Sequence, residues 1–339
     1  MNNLDVHPRT ISSLKKARIT DLTSLLSRSA PDIERATHLS LSDVKAVQRE
    51  AALAVTHPPL TNALDMYNNV CPQEMRRHTL SLGCKILDGT LQGGFQSQGI
   101  TEIAGESASG KTQLCMQLCL TVQLPTRQGG LEGGAAYICT EDVFPNKRLV
   151  QMIQHFGRTT AYKINFGDNI FIEHTSDMDS LWYCLKTRVP TLLNRFNIKL
   201  IVIDSVAALF RYEYNLNQTF ERSKKLSLFG AYLHNLSCRH NIPVVCINQV
   251  TENMNGYTTN GAIKKTLPAL GLTWSNLVTT RIVLSRTPHT LTVGHSDISG
   301  DCTEKYETPV RAMEIIFDSH LPNNVCHYVI DQEGVKGIS

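Results

Sequence analysis

The stretch Gly105-Glu106-Ser107-Ala108-Ser109-Gly110-Lys111-Thr112 constrains this chain more than any other. It fits G-x-x-x-x-G-K-[ST], a glycine-rich turn that carries a strand into a helix. The flanks supply both elements. Ile100–Ala104 reads as a short buried strand. Gln113–Val122 reads as a helix that is apolar on more than one side, through Leu114, Met116, Leu118, Leu120 and two cysteines. Such a turn aims main-chain N–H groups and the positive end of a helix at a triphosphate. Lys111 would reach the β- and γ-phosphates, and the Thr112 hydroxyl would ligate Mg²⁺. The competing reading, a flexible surface turn, does not account for a strand before and a helix after.

With 339 residues, 42% of them hydrophobic, the chain can build one large core or a large and a small domain. A net charge of +3 is mildly basic, compatible with nucleic acid without requiring it. The ten cysteines are scattered and form no C-x-x-C pair, which excludes zinc-ribbon and thioredoxin-type sites. Several sit in apolar runs, as reduced thiols do in a reducing compartment. The first nine residues have no apolar stretch and do not read as a secretory signal. No run is long enough to span a bilayer, so no membrane association is expected. Lys15-Lys16, Arg76-Arg77, Lys224-Lys225 and Lys264-Lys265 read as solvated faces rather than addresses.

Three segments follow along the chain. Residues 1–55 read as a small all-helical domain. Pro8 starts a first helix, Asp21 or Thr20 caps a second, Pro31 lies just inside a third, and Ser40-Leu41-Ser42-Asp43 forms a capping box ahead of a fourth. Residues 56–79 read as a linker, marked by Thr56-His57-Pro58-Pro59 and followed by the apolar-spotted Leu60–Tyr67. Residues 80–339 alternate strands and helices. Strands are expected at Ala135–Thr140, Ile170–His174, Leu200–Ile203, Ile242–Ile247 and Val278–Leu284. They are continuous apolar runs, so both faces of a largely parallel α/β sheet are covered.

In such a sheet ligands sit at the carboxyl ends of the strands, where three polar residues recur. Asp204, after Leu200-Ile201-Val202-Ile203, is placed to hold Mg²⁺ through water, or to cap the next helix. Glu141, after Ala136–Thr140, is placed to orient and deprotonate an attacking water, or to start a helix. Gln249, after Val244–Asn248, is placed to touch the γ-phosphate and report its loss, or to serve as an ordinary loop amide.

In that order and on those strands, the phosphate loop, Glu141, Asp204 and Gln249 resemble the RecA-type recombinases. Leu80–Asp88 with Gly93-Gly94, Glu141–Leu149 and Asp204–Arg211 resemble the eukaryotic and archaeal strand-exchange branch, over essentially the whole chain. Tyr137–Asp142, Cys246–Glu252 and Leu270–Trp274 look most like a recombinase paralogue within it. The resemblance implies a RecA-like P-loop ATPase core with a mostly parallel twisted sheet, plus the helical domain. It implies ATP and Mg²⁺ as cofactors and a role in homologous-recombination repair. The implied partners are recombinase paralogue C, as a heterodimer, the strand-exchange recombinase, and single-stranded or branched DNA. The implied location is the nucleus, with cytoplasm and mitochondrion as further compartments.

Carried over by position, Arg148 packs near the adenine, while Asp318 and Pro322 cover ATP held by an adjacent protomer. Leu60 and Ala63 resemble a Phe-x-x-Ala plug that adds to a neighbour's sheet edge, with leucine replacing phenylalanine. The smaller plug loses about 1 kcal/mol of apolar burial, which bears on partner choice. Two DNA-facing loops are implied, near 213–218 and within 251–273. Their basic residues are few: Lys264, Lys265 and the flanking Arg211 and Arg222. Since DNA affinity scales with phosphates neutralised, autonomous DNA binding is expected to be weak, with Tyr214 or Tyr257 as stacking groups. The helical domain lacks a Gly-h-Gly hairpin and reads as a docking module. Two readings stay open: a weak DNA-dependent ATPase, and a scaffold in which ATP is structural glue and hydrolysis is dispensable. Poor loop basicity argues against a stand-alone strand-exchange enzyme. No acceptor pocket or lid points to a kinase.

Overall fold

Aliphatic strands without alternation need cover on both faces, and the second part of the chain provides it. The computed structural model describes residues 6–54, 60–68, 70–71, 75–159, 164–212, 218–252, 258–259, 262–263, 266–296 and 302–339. The chain divides into two units, Met1–Arg76 and Arg77–Ser339.

The first unit holds α1 (Pro8–Lys16), α2 (Leu22–Leu26), α3 (Ala30–Thr37), α4 (Leu41–Ala54) and α5 (Ala63–Tyr67). Caps set their starts. Asp21 accepts from Ser24 N (2.7 Å), Ser29 from Asp32 N (3.3 Å) and Ser40 from Asp43 N (3.1 Å). The Ser40 hydroxyl also donates to Asp43 Oδ2 (2.6 Å), which completes the expected box in its aspartate form. Leu14, Ile19, Leu25, Ile33, Val44, Val47 and Ala51 form the core. Helix α5, capped by Asn62, occupies the segment that sequence patterning leaves unassigned.

The second unit is built on β1 (Ile100–Gly105), β2 (Gly134–Cys139), β3 (Ile170–His174), β4 (Ile198–Asp204) and β5 (Val244–Glu252). It continues with β6 (Thr266–Pro268), β7 (Thr280–Ser296), β8 (Cys302–Asp318), β9 (Val325–Ile330) and β10 (Val335–Ile338). The spatial order is β10-β9-β8-β7-β1-β5-β4-β2-β3, with β6 paired to the outer end of β5. Neighbours from β3 through β7 are parallel. From β7 through β10 they are antiparallel. The mostly parallel α/β expectation therefore holds at the centre, and an antiparallel wing extends it.

Successive residues on each strand serve opposite cores, as a period of two requires. Leu200, Val202, Val245 and Ile247 pack with α6 (Lys111–Thr121) and α7 (Asn146–Thr159). Ile201, Ile203, Val244 and Cys246 pack with α8 (Val206–Tyr212), α9 (Thr219–His240) and Trp274 of α10 (Gly271–Ser275). Each fully buried aliphatic side chain contributes about 1.5–3 kcal/mol. Cys115, Cys119, Cys139 and Cys246 are buried free thiols inside these layers. Among the described residues no helix is long and apolar enough to cross a membrane.

Two elements differ from expectation. β5 is not finished at Ile247. It pairs with β1 as far as Gln249 and then runs on to Glu252 against β6. The strand expected at Val278–Leu284 is the start of β7, the first strand of a long hairpin, β7–β8, whose outer part mixes polar and apolar residues.

Candidate nucleotide site

The parallel strands bring the sequence-predicted residues to one edge. The register pairs Gly105 with Gln249 and Cys139 with Asp204. At that edge β1 turns through the glycine-rich loop into α6, which begins at Lys111, two residues earlier than its apolar pattern suggests. Gly110 caps the helix at φ +102°, a left-handed conformation, and a Cβ there would lie 2.5 Å from Ile330 Cδ1. At Gly105 a Cβ would lie 2.4 Å from the Leu284 carbonyl oxygen. Only glycine fits either place.

The Lys111 ammonium donates to the carbonyls of Gly105 (2.8 Å) and Glu106 (2.7 Å). Burial lowers its pKa, partly offset by Asp204 and Glu141. A half-buried cation served by neutral carbonyls is suited to an incoming anion. Ser109 turns inward. Its hydroxyl donates to Glu106 O (2.8 Å), and its carbonyl accepts from the Tyr328 hydroxyl (2.6 Å). Ser109 thus shapes the loop, while Gly105, Glu106, Ser107, Ala108, Gly110, Lys111 and Thr112 line a pocket of about 1250 Å³.

Thr112 Oγ1 donates to Asp204 Oδ2 (2.8 Å), and the Tyr137 hydroxyl donates to the same oxygen (2.6 Å). Burial raises the Asp204 pKa, opposed by these two hydrogen bonds and by Lys111. A hydroxyl beside a carboxylate, both at the pocket, is an all-oxygen donor set that fits Mg²⁺. The Asp204–Ser205 peptide is cis. Thr140 and Ser205 bond reciprocally, through Thr140 Oγ1 to Ser205 O (2.6 Å) and Ser205 N to Thr140 Oγ1 (2.9 Å).

Glu141 lies in a chain of side-chain bonds across the strand ends. Ser205 Oγ donates to Glu141 Oε2 (2.8 Å), and Gln249 Nε2 donates to Glu141 Oε1 (2.8 Å). Arg211, at the end of α8, donates to Gln249 Oε1 (2.8 Å). Residues on three strand ends and one helix are thereby joined.

Arg148 stands on the other side of the pocket. It donates to Gln113 (2.7 Å), Gln151 (2.6 Å) and the main-chain carbonyls of Asp331 (2.6 Å) and Gln332 (3.1 Å). Burial lowers its pKa. Sequence reasoning missed Arg311, which lines the pocket and donates to the Ala108 carbonyl (3.3 Å). It also missed Tyr137 and Ser205. A hydroxyl residue within an otherwise apolar strand was the available signal for Tyr137, but no local signal marks Arg311, which comes from the antiparallel wing.

Asp318 and Pro322 are not brought to this pocket. Asp318 pairs with Thr280, four residues from the Leu284–Gly105 pair, or about 13 Å along the strand. Its carboxylate accepts from Thr280 Oγ1 and from the N–H groups of His320 and Leu321. Leu60 is fully exposed, and Ala63 opens α5 in the first unit. Lys264, Lys265, Tyr214 and Tyr257 lie outside the described residues.

Comparison with known proteins agrees with this geometry. The Rad51 family profile matches residues 75–338. The chain is 40% identical to DNA repair protein XRCC3 of Bos taurus over 345 residues, covering all of this chain and 98% of that protein. It is 41% identical to DNA repair protein XRCC3 of Mus musculus over 351 residues, covering all of this chain and 98% of that protein. To DNA repair protein rhp57 of Schizosaccharomyces pombe it is 30% identical, over 77% of this chain and 80% of that protein. With a phosphate loop, an oxygen pair and a strand-end carboxylate set on a RecA-like sheet, the chain belongs to the Rad51 family and resembles its DNA-repair paralogues.

Proposed function

We propose that this chain is an ATP-binding recombinase paralogue that acts in the nucleus in homologous-recombination repair of DNA breaks. It assembles with recombinase paralogue C and aids the strand-exchange recombinase on single-stranded or branched DNA. The observation that carries this reading is the Lys111–Thr112–Asp204 constellation, a part-buried cation bonded to main-chain carbonyls beside an oxygen pair at the mouth of a glycine-shaped loop. Mg²⁺-ATP bound there supplies an activated γ-phosphoryl group and its counter-ion.

The chain's own residues do the rest. Loop N–H groups and Lys111 grip the phosphates, Thr112 and Asp204 hold the metal, and Arg148 flanks the adenine. Tyr137 keeps Asp204 oriented. Glu141 takes a proton from the attacking water, and Gln249 reports the γ-phosphate. Asp318 and Pro322 cap ATP on an adjacent protomer, which accords with their distance from this pocket. Exposed Leu60, Leu64, Met66 and Tyr67 support docking of the linker on a partner. Arg211, Lys264 and Lys265 serve DNA.

The scaffold reading has one observation of its own. Both Glu141 oxygens already accept a hydrogen bond, from Ser205 and Gln249, which ties the carboxylate into the strand-end network and gives it a structural role. Complementation of DNA-damage sensitivity separates the readings. Lys111→Ala is expected to abolish rescue. Loss of rescue with Glu141→Gln supports the ATPase, and full rescue supports the scaffold. Full rescue by Lys111→Ala would refute both.

A further inference from the structure

Glu102 takes no part in the site, yet it is a completely buried carboxylate three residues before Gly105 on β1. Its Oε2 accepts from Arg281 Nε on β7. Its Oε1 accepts from Asn248 Nδ2 on β5 and from Trp274 Nε1 on α10, the latter at 3.0 Å. Asn248 and Trp274 are fully buried, and Arg281 nearly so, with its guanidinium over the Phe317 ring. Desolvating such a pair is costly, and well-packed apolar side chains would stabilise the sheet as well or better. Stability alone therefore gives no reason for a glutamate here.

The elements that meet at Glu102 do. β1 runs into the phosphate loop. Asn248 directly precedes Gln249, whose amide touches Glu141. Trp274 anchors α10, the helix that follows β6. β6 in turn is paired to β5 just beyond Gln249, and Ala269 N donates to the Gln249 carbonyl (2.9 Å). The cluster is also incompletely satisfied. Asn248 Oδ1 and Arg281 Nη2 are buried without a partner. One is an acceptor and the other a donor, so turning the Asn248 amide toward Arg281 would pair these two atoms at the cost of the Asn248–Glu102 bond. A buried network whose donors and acceptors allow a second pairing has what a two-state element requires.

We propose that Asn248 and Trp274 are positioning residues that, through Glu102, couple the placement of Gln249 at the nucleotide to the placement of α10 and β6. The proposal rests on the nucleotide-binding reading above and goes beyond it by assigning the coupling to a buried cluster remote from the phosphates. Loss of contact between Gln249 and the γ-phosphate shifts the β5 main chain at Asn248. Asn248 then leaves Glu102 for Arg281, and the Trp274 indole N–H becomes the remaining donor to Oε1. β6 and α10 are re-seated accordingly.

The test uses the full chain, Mg²⁺ with ATP or ADP, and a fluorescent oligothymidylate. Wild type is expected to bind the oligonucleotide about tenfold more tightly with one nucleotide than with the other, a usual coupling for linked sites. Trp274→Phe keeps a ring in place and removes the N–H donor. It is expected to bring the ratio to within about twofold of unity while ATP affinity stays within about threefold of wild type. A merely structural role would lower the melting temperature and leave the ratio intact, and that result overturns the proposal. Asn248→Ala provides the second variant, with the same expectation, should Trp274→Phe not fold. Absence of ATP binding by wild type would defeat the functional reading itself. ATP binding without any nucleotide-dependent ratio would defeat the proposal alone.

Discussion

Among the described residues, a core cluster of seven, from Leu14 to Ala51, holds the helices of the first unit together, whereas the sheet unit carries a packed core on each face. The difference decides where polar residues are put to use. In the helical unit they close helix ends, as Asp21, Ser29 and Ser40 do. A small core leaves little margin, so each cap is a sizeable share of its stability. In the sheet unit the surplus of burial tolerates costly groups. Lys111 is desolvated, Asp204 is held with a raised pKa, and Glu102 is ionically paired beneath the loop. The sheet unit also caps helices with polar side chains, as Asp177 does, but among the described residues it alone keeps buried charges as well.

Substitutions can break that division. The largest effect belongs to Glu141→Gln. ATP turnover is expected to fall roughly 10²–10⁴-fold, the range for loss of a general base, with ATP affinity retained. Leu14→Ala follows, with about 2–5 kcal/mol lost from the helical unit. Chemical denaturation should then show that unit melting early while ATP binding is untouched. A concurrent loss of ATP binding would show that the two units are not energetically separate.

Smaller changes sharpen the contrast. Tyr137→Phe removes one donor from Asp204 and is expected to weaken Mg²⁺-dependent ATP binding by about tenfold, as for a hydrogen bond to a charged group. Magnesium titration at fixed ATP reads this directly, and the melting temperature should barely move. Asp21→Ala is the mildest, costing about 1 kcal/mol of the helical unit through the lost cap on α2. Its effect on the nucleotide site should be nil.

The central strands were legible because burial on both faces leaves unbroken aliphatic runs, as in Leu200–Ile203. The loop was legible because its chemistry is local: every residue from Gly105 to Thr112 is contiguous. The β7–β8 hairpin was not, since its outer strands carry threonine, histidine, glutamate and lysine among scattered apolar residues in place of an unbroken aliphatic run. Gln249 was expected beyond a strand end, but β6 lengthens β5 past it, and such pairing depends on a segment far along the chain. Arg311 reaches Ala108 across 203 positions, and Trp274 reaches Glu102 across 172. Contacts of that range are made by topology, which composition and spacing do not encode. Helix α5 escaped because five residues with one cap carry too few turns to show a period.

The claim on which the account depends is that Lys111 and the surrounding main chain grip a triphosphate. Calorimetric titration of the full chain with ATP in excess Mg²⁺, beside Lys111→Ala, tests it directly. The account predicts saturable binding to the wild type, weakened by about a hundredfold or more in the variant, as expected for loss of charge-assisted bonds in a part-buried site. Equal affinity in the two proteins, or no binding to either, would contradict it.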